Sequence, residues 1–276
     1  DLTYIRYEAL TPIDGIDALT ATVSYHRQRE IQTRGIPTER FQETDVESTG
    51  LNVVAVHDAA EFGKLSSGVD WYHDDVDSRF GGTASGVIVP DDAYYERLGV
   101  FLNWDVELTD RLTATAGIRY ETIETSGTPT IDIDDGMGGT VATPNSVNAH
   151  YRDWVSQVGL VYEIAPCVHL VGSVSEGFRA PNLDDLMANN PNVAQMAASI
   201  PSLGLQPEQS INYEIGLKTN HDRLRTQTFV YWLDIGDNIV SVPTATPFTF
   251  GSENQDSFVQ GVEFDGEYLL DDGWSV

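Results

Sequence analysis

The chain alternates apolar and polar residues one by one, over long stretches whose polar side carries full charges. From Arg111 to Glu121, Leu112, Ala114, Ala116, Ile118 and Tyr120 fall on one side, and Thr113, Thr115, Gly117, Arg119 and Glu121 on the other. The segment before it sets Leu98, Val100, Leu102, Trp104, Val106 and Leu108 against Gly99, Phe101, Asn103, Asp105 and Glu107. Stretches 19–26, 211–218 and 262–268 follow the same rule. A period of two is the strand signal. About twelve such strands of roughly 9–15 residues are expected, a length that suits membrane-crossing strands with extensions.

The polar faces decide what surrounds the strands. Arg119, Glu121, Asp105 and Glu107 buried in a dry core would be prohibitive. Facing lipid at mid-membrane, an Arg or Lys costs about 2–4 kcal/mol. In a wet lumen they cost little, so the apolar face is expected to meet lipid and the charged face to line an interior. Tyr94, Tyr95, Tyr151, Trp154, Tyr231 and Trp232 near strand ends fit interfacial girdles. Plain strand propensity accounts for them equally well.

The connections alternate short and long. Short ones lie at Thr109-Asp110-Arg111, Ala165-Pro166-Cys167, Asn220-His221-Asp222 and Asp271-Asp272-Gly273, with slightly longer ones at 12–15 and 59–63. Long ones run near 30–42, 76–93, 124–150, 180–206 and 236–256. A soluble sandwich has no reason to gather its long loops at one end, whereas an outer-membrane barrel has short periplasmic turns and long external loops. The expected fold is therefore all-β, an antiparallel transmembrane β-barrel. It is expected to be incomplete, as a curved open sheet. Asp1 opens directly on an alternating stretch and Trp274-Ser275-Val276 follow a turn, so both ends read as cut.

Composition excludes several classes. The 43 acids against 15 bases give a net charge of −28, which repels nucleic acid, since phosphate binding needs Lys and Arg. Solvated acidic loops explain that charge first; a field drawing in cations or metal complexes explains it second. No run of about 18 apolar residues is present, so no transmembrane helix is expected. Cys167 is the only cysteine, and one thiol makes neither an internal disulfide nor a zinc site.

Catalytic signatures are missing: there is no HExxH, Walker loop or GxGxxG between a strand and a helix. Ser173-Val174-Ser175-Glu176-Gly177 half-imitates a hydrolase elbow but lies on a strand with no helix after it. No enzyme activity and no cofactor are expected. His26, His57, His73, His150, His169 and His221 are scattered without ligand spacing. Asp132, Asp134 and Asp135 in Asp132-Ile133-Asp134-Asp135-Gly136 form a weak calcium candidate, read first as a solvated acidic loop tip.

One region is more specific. Gly177-Phe178-Arg179-Ala180-Pro181-Asn182-Leu183-Asp184-Asp185-Leu186 leaves a strand, and Leu205-Gln206-Pro207-Glu208-Gln209-Ser210-Ile211-Asn212-Tyr213-Glu214-Ile215-Gly216-Leu217-Lys218 opens the next. This resembles the barrel of TonB-dependent outer-membrane receptors, in which similar stretches stand in the same order. Arg223 to Val240 and Gln260 to Tyr268 resemble the strands that follow. Over 1–166 the resemblance rests on strand rhythm alone.

The resemblance implies an active importer in the bacterial outer membrane, drawing in a scarce nutrient such as a ferric siderophore, haem, cobalamin or a glycan. It implies outer-membrane lipid, an iron-chelate ligand and the TonB energy-transducing complex as partners. The chain 1–276 is then part of a plugged, 22-stranded barrel of the kind known for outer-membrane transporters. An N-terminal plug and the closing C-terminal strands are expected to lie outside it. A ferric siderophore leads. Haem ranks lower, because haem receptors of this family usually carry a histidine between the positions of Phe178 and Pro207, and here none lies there. A passive porin-like channel and a soluble β-rich binding protein are the other readings.

The family-motif residues are Gly177, Phe178, Arg179, Ala180, Pro181, Asn182, Leu183, Pro207, Glu208, Asn212, Glu214 and Gly216. Phe178 and Arg179 should point to opposite faces, and Pro181 should end regular pairing. Arg179 is expected in the lumen near its outer rim, paired with Glu208 or Glu214 and fixing the base of the 180–206 loop. Anchoring leads over direct ligand contact. Two open edges in half a barrel leave unpaired backbone groups, so the isolated chain is expected to aggregate or stay unfolded.

Overall fold

The computed structural model describes residues 1–34, 40–58, 62–81, 86–134, 140–192 and 197–270. In chain order the elements are β1 (Leu2–Ile13), β2 (Ile16–Arg34), β3 (Arg40–Asp58), β4 (Lys64–Gly81), β5 (Gly86–Thr109) and β6 (Leu112–Gly127). A small hairpin follows, β7 (Thr130–Asp134) and β8 (Thr140–Pro144), then β9 (Val147–Ala165) and β10 (Val168–Arg179). One short helix, α1 (Leu183–Met187), precedes β11 (Asn190–Asn192) and β12 (Ala197–Ser199). β13 (Glu208–Asn220), β14 (Leu224–Pro243) and β15 (Thr249–Tyr268) complete the set.

Thirteen strands form one sheet in the order β1-β2-β3-β4-β5-β6-β9-β10-β13-β14-β15-β12-β11. Its long strands all pair antiparallel with their neighbours. Two detours interrupt the meander: the separate hairpin β7-β8, and the segment 180–207 that carries α1, β11 and β12. β12 meets β15 parallel at only two positions, Ala198↔Thr249 and Ser199↔Phe250. The sheet is open, with β1 at one end and most of the far edge of β15 at the other.

The strands are longer than their alternation predicts, 24 residues in β5 and 20 in both β14 and β15. Three of the five expected long loops shrink accordingly, because ladder pairing continues through their polar flanks. Phe41↔Gly81 and Pro243↔Phe250 lie inside strands. Ladder bonds satisfy backbone groups that a loose loop would leave to water. Only 128–146 and 180–207 remain long connections.

Along the middle of the sheet the alternation holds as expected. Val100, Tyr120 and Trp154 form one cross-strand row on the apolar face. Trp154 is 60% and Val262 70% exposed, so this face covers no core of its own. The other face carries Asp70, Asn103, Arg119, Glu121, Gln157 and Glu214. Of the six aromatics placed near strand ends, Tyr94, Trp154 and Trp232 share the apolar face. Tyr95, Tyr151 and Tyr231 lie at alternate positions and point the other way, so they form no girdle.

Toward the long-connection end the polarity inverts. The face that is apolar lower down now carries Arg27 against Asp45 at 2.6 Å and Glu47 at 3.2 Å, and Arg29 against Glu43 at 2.6 Å. The opposite face turns apolar there, with Ile88, Val89, Ala93, Ile123 and Val147 buried. A charged face on one side and an apolar core on the other is the reverse of the expected interior. The reason is that the 180–207 segment folds back over this face.

Candidate functional site

The site is built where β10 hands over to that segment. Arg179, the last residue of β10, stands directly opposite Glu208, the first of β13. Its Nε donates to Glu208 Oε2 and its Nη2 to Oε1, both at 2.7 Å, while Nη1 donates to Asp185 Oδ2 at 2.9 Å. The planar guanidinium matches a carboxylate fork, which makes such paired bonds strong and directional. Glu208 Oε1 also accepts the Ile239 amide at 2.7 Å, where a bulge after Ile235 has broken the β14–β15 ladder.

Each motif residue has a local task. Ala180 and Pro181 are buried, and the chain leaves the ladder there, as a residue without an N–H requires. Asn182 is the N-cap of α1. Its Oδ1 accepts from the Asp185 amide at 2.7 Å, and Asp185 Oδ2 accepts from the Asn182 amide at 3.1 Å. This reciprocal box satisfies two of the helix's free amides. Asp185 thus joins the cap to Arg179. The Asp184 carboxyl is pushed above its ordinary range, first by desolvation and then by the Asp185 charge beside it.

The segment is held down by an apolar core. Leu183, Leu186, Met187, Ala188 and Leu205 pack with Ile88, Val89 and Ala93 of β5 and Val147 of β9. Each fully buried Leu or Met stabilises by about 1.5–3 kcal/mol relative to exposure. Backbone bonds tie it on both sides: Asn189 N donates to Ile88 O of β5 and Ile200 N to Phe250 O of β15, each at 2.9 Å, while Ser202 N to Leu186 O at 3.0 Å closes the segment on itself. Asn254 on β15 accepts from the Gln206 amide and donates back to its carbonyl, each at 2.9 Å. The segment is therefore a strap across the polar face, from β5 to β15. Sequence reasoning missed this core. Its trace was the Leu183, Leu186 and Met187 spacing, one side of a helical turn.

Other motif residues stand apart. Asn212 Nδ2 donates to Glu214 Oε1 at 3.0 Å, and Ser173 Oγ donates to Glu214 Oε2 at 3.4 Å. Glu214 lies six residues along β13 from Glu208, about 20 Å at the rise of a strand. It does not reach Arg179. Phe229 on β14 covers Gly216. Pro207 lies half-buried just before Glu208. Of the calcium candidates, Asp135 and the side chains of Asp132 and Asp134 lie outside the described residues. Among the described residues no group of three or more His, Cys, Asp or Glu is placed to hold a metal.

Residues 3–276 match the family described as "TonB dependent receptor-like, beta-barrel". The chain belongs to this family of outer-membrane receptors. Its members are transport receptors, so the chain is not an enzyme, and its place is the bacterial outer membrane. TonB-dependent heme receptor A of Haemophilus ducreyi is 27% identical over 129 residues, which are 44% of this chain and 17% of that protein. Hemoglobin-haptoglobin utilization protein B of Neisseria meningitidis serogroup C is 24% identical over 184 residues, 59% of this chain and 22% of that one. Among solved structures, the copper transporter OprC superposes with a TM-score of 0.80 at 18% identity, covering 99% of this chain and 46% of its own. The hemophore receptor HasR of Serratia marcescens, bound to HasA and heme, gives 0.77 at 15% identity, covering 98% and 46%. The chain spans under half the length of these receptors.

With the family known, the two faces take names. The apolar face meets lipid, the polar face lines the lumen, and the long connections mark the external end. One feature of the receptor's outer rim escaped the sequence. His73, Glu96, Glu124 and His150 form a single cross-strand row over β4, β5, β6 and β9. His73 Nδ1 lies 3.2 Å from Glu96 and His150 Nδ1 3.5 Å from Glu124, whose Oε1 accepts from Tyr94 Oη at 2.6 Å. These residues are scattered along the chain, and only register brings them together.

Proposed function

We propose that this chain is about half of the wall of a plugged, TonB-energised importer, and that its cargo is a scarce iron chelate, first of all a ferric siderophore. The observation that carries the import reading is the family match across residues 3–276. In this reading the luminal face meets an N-terminal plug supplied by the rest of the protein. The strap stands at the mouth on the cargo's way in. Arg179, Glu208 and Asp185 hold it there, and Asn212, Glu214 and Gly216 belong to the wall below.

Haem ranks below a ferric siderophore because no histidine lies between Phe178 and Pro207, which leaves the strap without an imidazole for haem iron. Haem is the second reading. It is favoured by the two sequence relatives, whose names refer to heme and to hemoglobin-haptoglobin.

Growth of a deletion strain on single iron sources separates the two. Loss of growth on one ferric siderophore, with growth on haem and haemoglobin retained, is the expected outcome. Loss on haem or haemoglobin alone supports the second reading. Unchanged growth on every iron source rejects iron as the cargo.

A further inference from the structure

The apolar face is not evenly filled. Leu160, Gly172, Ile215, Val230 and Val262 form one cross-strand row on it, over β9, β10, β13, β14 and β15. Val158, Val174, Tyr213, Trp232 and Gln260 form the next row toward the external end. A groove of ≈ 810 Å³ runs between the two rows. Ser173, Glu214 and Tyr231 alternate with them and point to the lumen, so their backbone floors the groove.

Gly172 opens the groove. It is the one position of its row without a side chain, and a Cβ there would meet only the Glu214 carbonyl oxygen, at 3.9 Å. Val174, Val230 and Val262 around it are short, whereas Tyr213 and Trp232 stand tall beside them. The external boundary of the apolar face lies one row higher, where Glu176 and Asp234 replace apolar residues. Trp232 Nε1 donates to Asp234 Oδ1 at 2.7 Å, and its ring stacks on Phe258 at 5.0 Å. An amphipathic ring so placed marks the level of the lipid headgroups. Rows lie about 7 Å apart along a strand, so the groove sits just inside the external half of the bilayer.

What fills such a groove must be apolar and slender. Five strands about 4.8 Å apart give it a length of about 19 Å. The acyl chains of one leaflet span about 15 Å, half of the hydrocarbon core. Barrel strands tilt by about 35–45°, so a groove across them runs obliquely into the bilayer instead of along its surface. Length and direction both fit an acyl chain. In lipid, apolar burial by itself gains nothing, because acyl chains are as apolar as the wall. An unfilled groove, however, forfeits dispersion contacts along its lining. An acyl chain laid in it recovers them. One passing over the packed rings of Tyr120 and Trp154, 4.9 Å apart, finds no such fit.

We propose that the Gly172 groove seats one acyl chain of an external-leaflet lipid, in preference to the rest of the apolar face. The groove continues the lipid-facing surface of the barrel, and no charged side chain points into it. The ester end of the acyl chain lies nearest the boundary set by Glu176 and Asp234, and its methyl end lies deeper. The seat is independent of which cargo the receptor carries.

The test uses the full-length receptor reconstituted in vesicles of phosphatidylethanolamine and phosphatidylglycerol. A trace of phosphatidylcholine carries a diazirine on one acyl chain, near the ester in one preparation and at the methyl end in another. After illumination, label on the peptides of Tyr213 and Trp232 is compared with label on those of Tyr120 and Trp154. Each pair is one tyrosine and one tryptophan on the apolar face. The groove pair should carry about threefold to fivefold more of the ester-end probe, the factor for about 0.6–1 kcal/mol. The methyl-end probe should mark it less. Gly172→Leu, whose side chain has room to lie in the groove, should abolish that excess and leave the Tyr120 and Trp154 label unchanged. An excess that persists in the folded, heat-modifiable variant overturns the proposal. So does stronger marking by the methyl-end probe, which would bring the acyl chain from the other leaflet. Groove label no higher than the control's also overturns it, and receptor dimers trapped alongside would give the groove to a second copy. Val174→Leu fills the groove from its other row if Gly172→Leu does not fold. No readout depends on uptake, so failure here and failure of the importer reading are separate results.

Discussion

Gly99 lies directly beneath the guanidinium of Arg119. From β6, Arg119 crosses β5 at Gly99 to reach Asp70 on β4, with Nη1 at 2.7 Å and Nη2 at 3.0 Å from its two oxygens. Its Nε donates to Glu121 at 2.7 Å. A Cβ on Gly99 would stand where the guanidinium now lies. The glycine therefore clears the way for a clasp over three strands, and Asp70 is buried in making it.

Gly99→Ala should displace Arg119 and leave Asp70 without its partner. The expected loss is about 2–3 kcal/mol, the scale of charge-assisted bonds to a part-buried carboxylate. The urea unfolding midpoint of the full-length receptor in detergent measures it. An unchanged midpoint would mean that the clasp carries no stability.

Arg179→Ala should free the strap's base. Arg179 is 43% exposed, so solvent screening limits the effect to about 1–2 kcal/mol of docking. Limited proteolysis within 183–206 should speed up roughly tenfold, since 1.4 kcal/mol is a factor of ten. Arg179→Lys should recover little, because one ammonium cannot serve Glu208 as a fork and Asp185 together. Protease resistance equal to the parent's would remove Arg179 as the anchor.

The strap should dock more firmly as the medium is acidified from neutral toward the carboxylate range. The Asp184 carboxyl is raised in the docked state by desolvation and by Asp185. A raised acid means that the docked state binds more protons than the undocked one. Docking is then weakest once Asp184 is ionised, and gains as pH falls through its raised value. Asp184→Asn should flatten that part of a protease-protection profile. A profile identical to the parent's would place the pH response elsewhere.

Produced alone, the 276-residue chain should not give a heat-modifiable band on a gel, the mark of a closed barrel. β1 and β15 present long edges whose amides lipid cannot satisfy. A compact species that shifts on boiling would show that the open sheet closes by itself.

Much of this was legible in the sequence because a strand writes its faces at a period of two. The shared apolar face of Val100 and Tyr120 follows from alternation alone, and a carboxylate partner for Arg179 on the next strand follows from two strands meeting at a loop's base, with register choosing Glu208 over Glu214. Alternation names the face and not the height, however. Where the external ends rise out of the lipid, the same rule continues with its meaning reversed, and Ile88, Val89 and Ala93 become the floor of a core. His73, Glu96, Glu124 and His150 share a row only through three successive registers, which no local spacing encodes.

Uptake of a radio-iron-labelled siderophore, the one on which the deletion strain fails to grow, tests the account most directly. Cells with the full-length receptor should accumulate the label, and a protonophore that collapses the inner-membrane gradient should stop accumulation while surface binding persists. Accumulation that continues without the gradient would make the wall that of a passive channel and contradict the account.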